Sequence, residues 1–257
     1  MSEINTDVNY KTMAGNARLL MLGESSHNTA GFKYEAIKAL KQLKAAGFTH
    51  FAMEMLPRSM QEKIDFYQRT GKGFKVIQQY LNENWAWGYL VPKAYGELVK
   101  AARDIGLKVI ALDISYELME QMDKECEYDQ YKEGDCFSTH TRRNKIWAEN
   151  IMGVLNASKQ HRVVAFMHRW HAVQATDYEP GLDTIVQEKG MNSIRFIDFI
   201  GGITCLSQRQ CEGSSAEINS LKQQYFSREG FPYKHAVKAF QVHIPEQRVN
   251  LDGTLKW

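Results

Sequence analysis

Apolar runs recur along this chain, separated by polar stretches whose hydrophobic positions repeat at helical spacing. Arg18–Gly23, Thr49–Met55, Leu107–Asp113, His161–Met167 and Ser193–Ile200 read as strands. Their runs are continuous rather than alternating, the pattern of strands covered on both faces. Between the first two lies a helix over Ala30–Ala46, with Phe32, Ala36, Ile37, Leu40 and Leu43 on one stripe and Gly47 closing it. Ser59-Met60-Gln61-Glu62 has the form of a capping box and predicts a helix start. Residues 65–87 read as short helical pieces broken at Gly71 and Gly73, and Pro92 opens another helix with Ala94, Leu98, Ala101, Ala102 and Ile105 inward. A long amphipathic helix follows over residues 139–159, with Ile146, Trp147, Ile151 and Leu155 inward. Beyond Gly201-Gly202 the pattern weakens to a helix near Ser215–Phe226 and a strand near Ala239–Ile244. Strands alternating with helices predict an α/β fold, a mostly parallel central sheet flanked by helices, with any site at the carboxyl ends of the strands. The expected organisation is a single α/β domain over 1–257, with a helical insert at about 57–106 and an acidic loop at about 123–137.

Composition narrows the partners. The chain has 257 residues, 44% of them hydrophobic and 24% charged, and a net charge of +2. That charge is too small to select nucleic acid or an anionic membrane. Lys38, Lys41 and Lys44 fall at helical spacing on a solvated face. Residues 1–12 are polar with no apolar signal core, and no run is long enough to span a bilayer, so a cytoplasmic location is the default expectation; delivery by another route stays open. Cys126, Cys136, Cys205 and Cys211 form no C-x-x-C pair, which predicts free thiols and no zinc ribbon.

The chemistry sits where the strands stop. The first strand delivers Glu24 and His27, the second ends at Glu54, the third at Asp113, and the fourth at His168, with His171 three residues on. Parallel strands bring those ends to one edge, so the groups converge in one cleft. Glu24 and Asp113 are each also placed to cap the helix that follows. Glu54 interrupts an apolar strand, and a buried carboxylate requires a cation, a donor or a metal. An imidazole next to a carboxylate can take a proton from water and return it to a leaving group, while a second imidazole donates to a developing oxyanion. The same ligands could hold zinc, manganese or cobalt, with Glu24, His27, Glu54 and His171 as the candidate set. No G-x-S-x-G elbow is present, which argues against a serine hydrolase, and Gly71-Lys72-Gly73 lacks Walker spacing.

Several motifs carry a family resemblance. Gly23-Glu24-Ser25-Ser26-His27 resembles the G-E-x-x-H opening of the erythromycin esterase and ChaN-like superfamily, also called the haem-binding uptake, Tiki superfamily. Phe51-Ala52-Met53-Glu54-Met55 is similar to its second strand, and Met55 with Arg58, Gln61 and Asp65 to the ChaN-type run that follows. Asn84–Tyr89 resembles the aromatic stretch of that branch, Arg143–Asn150 the esterase helix "R-D-x-x-x-A-x-N", and Met167–His171 the esterase "H-N-x-H" element. Asn144 stands where the acidic residue is usual, and Arg169-Trp170 are bulkier than the family pattern.

The resemblance implies a site of Glu24, His27, Glu54, His168, His171 and Arg143. His27 would be the base on water and Glu54 its orienting partner. His168 and His171 would stabilise the tetrahedral intermediate or supply the acid. Arg143 would either anchor an anionic group or neutralise the carboxylates. The implied activity is hydrolysis of an ester, lactone or amide in a small-molecule or peptide substrate. Two alternatives accompany it: a ChaN-like binding protein for haem or another flat apolar ligand, with Trp85, Trp87, Tyr89 and Trp170 lining the pocket, and an effector or toxin peptidase domain acting on a protein. The chain is shorter than the macrolide esterases, which argues against a macrolide.

Overall fold

The computed structural model describes residues 4–125, 139–173, 180–207, 210–213, 223–230 and 237–246. The strands are β1 Leu19–Glu24, β2 His50–Pro57, β3 Lys108–Asp113, β4 Val163–His168, β5 Ile194–Gly201, β6 Ile203–Cys205, β7 Cys211–Gly213, β8 Phe226–Glu229 and β9 Lys238–Ile244. The helices are α1 Tyr10–Ala14, α2 Ala30–Ala45, α3 Gln61–Thr70, α4 Phe74–Asn84, α5 Val91–Asp104, α6 Tyr116–Glu125, α7 Thr139–Ala157, α8 Arg169–Ala172 and α9 Leu182–Glu188. A seven-stranded sheet runs in the order β3-β2-β4-β1-β5-β9-β8. Every pairing in it is parallel except β8 with β9. The α/β reading of the sequence is therefore what the chain adopts.

Helices cover both faces, which is why the central strands are apolar throughout; all six residues of β1 are buried. Leu20 and Leu22 of β1 pack with Phe32, Leu40, Tyr95 and Leu98 of α2 and α5. Leu19 and Met21 point the other way, against Trp147, Ile151 and Leu155 of α7. Each such side chain taken out of water contributes roughly 1.5–3 kcal/mol before ordering entropy is counted. Among the described residues, no helix is long and apolar enough to cross a membrane.

The strand order positions the site. β4 lies between β1 and β2, so the ends of four neighbouring strands present Asp113, Glu54, His168 and Glu24 in spatial succession. Glu24 and His168 are register partners. At the end of β2 the pairing with β3 slips: Met53 opposes Ala111, and the next partners are Pro57 and Asp113. Glu54 sits in that irregular step, where the strand pulls away from its neighbour and frees a side chain for the cleft.

Some local expectations give way. The Ser59 capping box does not form; residues Arg58–Met60 make a 3-10 turn, and α3 begins at Gln61 without a side-chain cap. Gln61 instead turns to the sheet edge, accepting from Ala111 N–H at 2.8 Å and donating to Val109 O at 3.1 Å. The anticipated breaks at Gly71 and Gly73 are present, both glycines at positive φ (73° and 84°). Ser115 rather than Asp113 caps α6, its Oγ accepting from Leu118 N–H at 3.3 Å. Most of the helix expected near Ser215–Phe226 falls outside the described residues, but Phe226 itself opens strand β8. Of the expected acidic loop, residues 123–125 close α6 and 126–137 lie outside the described residues.

The thiol expectation is also corrected. Cys205 and Cys211 are joined by a disulfide across the β6–β7 hairpin, where they are register partners. Two short strands place the sulfurs face to face, a proximity that sequence spacing alone does not reveal. Cys126 and Cys136 lie outside the described residues.

Candidate active site

The centre of the cleft is His27. It follows β1 by a three-residue turn, so its ring folds back over the strand end. Its Nδ1 lies 2.7 Å from Glu24 Oε1. Tyr95 of α5 donates its hydroxyl to the same oxygen at 2.6 Å. Lys33 of α2, completely buried, reaches the other carboxylate oxygen at 2.5 Å and donates to the His27 carbonyl at 2.7 Å. Burial opposes charge on Glu24, but Lys33 and His27 outweigh it and hold the carboxyl at about 2. Glu24 is thus a permanent acceptor. It keeps the proton on Nδ1 and leaves the Nε2 lone pair facing the cavity.

Opposite His27 stands Glu54. Its Oε1 is 4.0 Å from His27 Nε2, a gap that one water at ordinary hydrogen-bond length from both would span. Its Oε2 accepts the His168 backbone N–H at 2.7 Å. Burial raises the Glu54 carboxyl above its usual range, against the pull of His27 and Arg143. Arg143 of α7 makes a fork with Asp113, Nε to Oδ1 at 2.9 Å and Nη2 to Oδ2 at 2.7 Å, and Nη2 also reaches Glu54 Oε1 at 3.2 Å. Trp147 adds its indole N–H to Asp113 Oδ1 at 3.2 Å. Of the two roles open to Arg143, the geometry is that of a neutralising cation. Its guanidinium is directed at protein acceptors, and Asp113 serves it rather than a helix end.

The two later histidines differ. His171 Nδ1 donates to Asn144 Oδ1 at 2.7 Å, and Asn144 is oriented by its own bond to Pro180 O at 3.1 Å. On the other side Arg143 Nη1 donates to His171 Nε2 at 3.2 Å. Burial, with Arg143 beside it, pushes the His171 imidazole well below its usual range. Both nitrogens are engaged, so His171 is a fixed neutral strut. His168 caps the short helix α8, its Nδ1 accepting Trp170 N–H at 3.4 Å, which puts its proton on Nε2. Burial, with His27 close by, lowers it to about 4, and its ring centroid lies 4.9 Å from that of His27.

A cavity of about 650 Å³ opens above these groups, within the usual range for small-molecule sites. Trp85, Trp87 and Trp170 line it, as expected; Tyr89 does not. Trp85 and Trp87 both contact the His27 ring edge-on at 5.1 Å between centroids. The loop that carries them is held by the disulfide hairpin, since Tyr89 N–H donates to Cys205 O at 2.6 Å. It ends in Leu90 at φ 66°, a left-handed conformation that costs about 1–2 kcal/mol.

Sequence reading missed Lys33, Tyr95 and His140. Lys33 and Tyr95 lie among the apolar positions of α2 and α5, where a polar residue three places from Ala36 or next to Ala94 is the one available signal. His140 stacks on His171 at 3.9 Å and bonds Trp170 O through Nε2 at 3.0 Å.

The metal set was expected to be Glu24, His27, Glu54 and His171. Among the described residues, no group of three or more His, Cys, Asp or Glu is arranged to hold an ion. The reason is local. Glu24 already has its charge matched by Lys33 at Oε2 and its Oε1 bonded by Tyr95 and His27, and Arg143 occupies the space between Glu54, Asp113 and His171 that a cation would need. These residues do not fit a resident metal.

Residues 12–135 match the family described as "Haem-binding uptake, Tiki superfamily, ChaN". No curated protein matches the chain in sequence. Among solved structures it is similar to the type III effector HopBA1 (16% identity, TM-score 0.59, covering 96% of this chain and 97% of that one). It is also similar to a variant of the erythromycin esterase EreC in its open conformation (11%, 0.58, 92% of each). A third likeness is to a succinoglycan biosynthesis protein (13%, 0.60, 92% and 89%). At such identities these likenesses speak for the fold. The family match thus covers just under half of the chain, residues 12–135, and the strand-end motifs Gly23–His27 and Phe51–Met55 resemble the same haem-binding uptake, Tiki superfamily.

Proposed function

We propose that this protein is a hydrolase in which His27 activates water to cleave an ester, lactone or amide bond. The observation that carries the reading is the polarity of His27: Nδ1 tied to a permanently ionised Glu24 at 2.7 Å, Nε2 open to the cavity and facing Glu54 at 4.0 Å. In this scheme water gives a proton to His27 Nε2 as its oxygen bonds the carbonyl carbon. The resulting oxyanion is met by the Nε2–H of His168, which stays neutral across the working pH range because its pKa is about 4. The imidazolium then returns the proton to the leaving oxygen or nitrogen as the tetrahedral intermediate collapses. Glu24 stabilises the imidazolium through Nδ1, and Glu54, tied down by Arg143, orients the water. His171 acts through Arg143 and Asn144, so its role is positioning.

The test is direct. His27→Ala and Glu54→Gln should each lower kcat/KM for p-nitrophenyl or lactone esters by at least about 100-fold, with the thermal transition retained. Wild-type turnover in His27→Ala would end the proposal. The aromatic walls of Trp85, Trp87 and Trp170 favour one other reading, a haem or flat apolar ligand in the same cavity. A sharp, shifted Soret band at equimolar haem supports it, and a band identical to that of free haem removes it.

A further inference from the structure

We infer that the cavity selects an organic cation: the substrate carries a protonated or quaternary ammonium group close to the scissile carbonyl. This rests on the hydrolase reading for the word substrate, but not for the recognition of the cation. Glu54, Glu83 and Asp113 line the cavity, and among the described residues Arg143 is the one Lys or Arg that does. Arg143 is already spent on Asp113, Glu54 and His171. The buried Lys33 behind the wall is matched by Glu24. His168 and His171, both lowered by burial, add no positive charge at neutral pH. Even with the Glu54 carboxyl protonated, Glu83 remains in excess. It accepts from a neutral partner, the Gln79 side-chain amide, at 2.9 Å.

The walls match that charge. Trp85 and Trp87 pack on each other at 5.1 Å and 38° and both contact the His27 ring, so the exposed surface of Trp87 forms an aromatic wall beside the base. Trp87 is 52% exposed and Tyr116 67% exposed at the mouth, and large aromatic surfaces left in water in the same lining as the uncompensated Glu83 carboxylate suit a cation rather than a neutral hydrocarbon. Tyr80, on the α4 wall, reports the same field: its hydroxyl is pushed up to about 12 by burial and then by the negative charge of Asp113. Among the described residues, the cavity lining offers a carboxylate or phosphate substrate no guanidinium or ammonium other than the Arg143 group already paired with Asp113 and Glu54. An alkylammonium would find aromatic faces, a rim carboxylate and, next to them, the base.

Three isosteric probes isolate charge from shape: choline, uncharged 3,3-dimethylbutanol, and 3,3-dimethylbutanoate, each titrated by calorimetry and tryptophan fluorescence against the intact protein. Choline should bind at least about tenfold more tightly than the alcohol, and the carboxylate should bind more weakly than either. Glu83→Gln, an exposed substitution that leaves the core untouched, should weaken choline several-fold and leave the alcohol unchanged. Trp87→Ala should weaken choline as well. Equal binding of choline and the alcohol, tighter binding of the carboxylate, or no choline binding would overturn the inference. The ester pair butyrylcholine and 3,3-dimethylbutyl butyrate separates the two readings. If choline binds but neither ester is cleaved, the hydrolase scheme fails and the cation site stands.

Discussion

Replacing Lys33 with Met probes the part of the site that the mechanism depends on most. The substitution keeps length and apolar volume but removes the ammonium from a completely buried position, 2.5 Å from Glu24 and 4.5 Å from the Tyr95 ring centroid. A carboxyl held at about 2 against an ordinary 4.5 carries about 3 kcal/mol in favour of its ionised form. Because the folded pKa is depressed, that stabilisation is present above about pH 4.5 and is lost as pH falls from there through about 2. Without Lys33 the sign reverses. Burial then pushes the Glu24 carboxyl up, and an ionised Glu24 destabilises the fold at neutral pH. Stranding a buried charge costs about 3–5 kcal/mol, the range expected from urea denaturation of Lys33→Met at pH 7. The deficit should shrink on acidification, as protonation relieves it. Lys33→Met with Glu24→Gln should regain at least half, because the amide needs no counter-charge. The acid limb of activity in Lys33→Met should move to higher pH, since a protonated Glu24 no longer fixes the His27 proton. A deficit below about 1 kcal/mol, or additive losses in the double variant, would show that Lys33 and Glu24 are not coupled and would refute this account.

Other expectations follow from single contacts. Asn144→Asp puts a carboxylate 2.7 Å from His171 Nδ1 and should raise the imidazole pKa from its depressed position, read by NMR titration; an unmoved ring would contradict the tautomer assigned here. In Gly23→Ala the new methyl would lie 2.5 Å from the Phe196 ring and 3.1 Å from the Arg169 backbone, so stability should fall by about 1–3 kcal/mol and turnover with it; a loss under half a kcal/mol in denaturant would disprove the packing argument. Cys205→Ser opens a loop of sequence separation 6 and should cost about 2 kcal/mol on a chain-entropy account. Reductant should give the wild type a similar loss and leave the variant unaffected. A wild type indifferent to reductant would contradict the disulfide.

The candidate site was legible where one residue's local setting announced it. Glu24 and His27 follow an apolar strand, Glu54 breaks one, and His168 and His171 end another; each lies at the same edge of the sheet in the fold. Such strands read clearly because burial on both faces leaves no polar alternation to confuse them. Short elements did not read: β6 and β7 have three residues each, too few for a period, and their disulfide depends on a hairpin register. Arg143 was readable as a partner, but not as the group that displaces a metal.

What the sequence by itself determined was the set of elements and the chemistry at their ends, because hydrophobic period and strand-end polarity are local properties. The tertiary structure alone decided the order that puts β4 between β1 and β2, and the helices that bring Lys33, Tyr95 and Arg143 to the carboxylates. Those pairings join residues far apart in the chain, and their strength comes from burial, which exists only once both sides of the sheet are covered. Which carboxylate stays charged, which histidine stays neutral and which nitrogen faces the cavity are therefore properties of the folded protein.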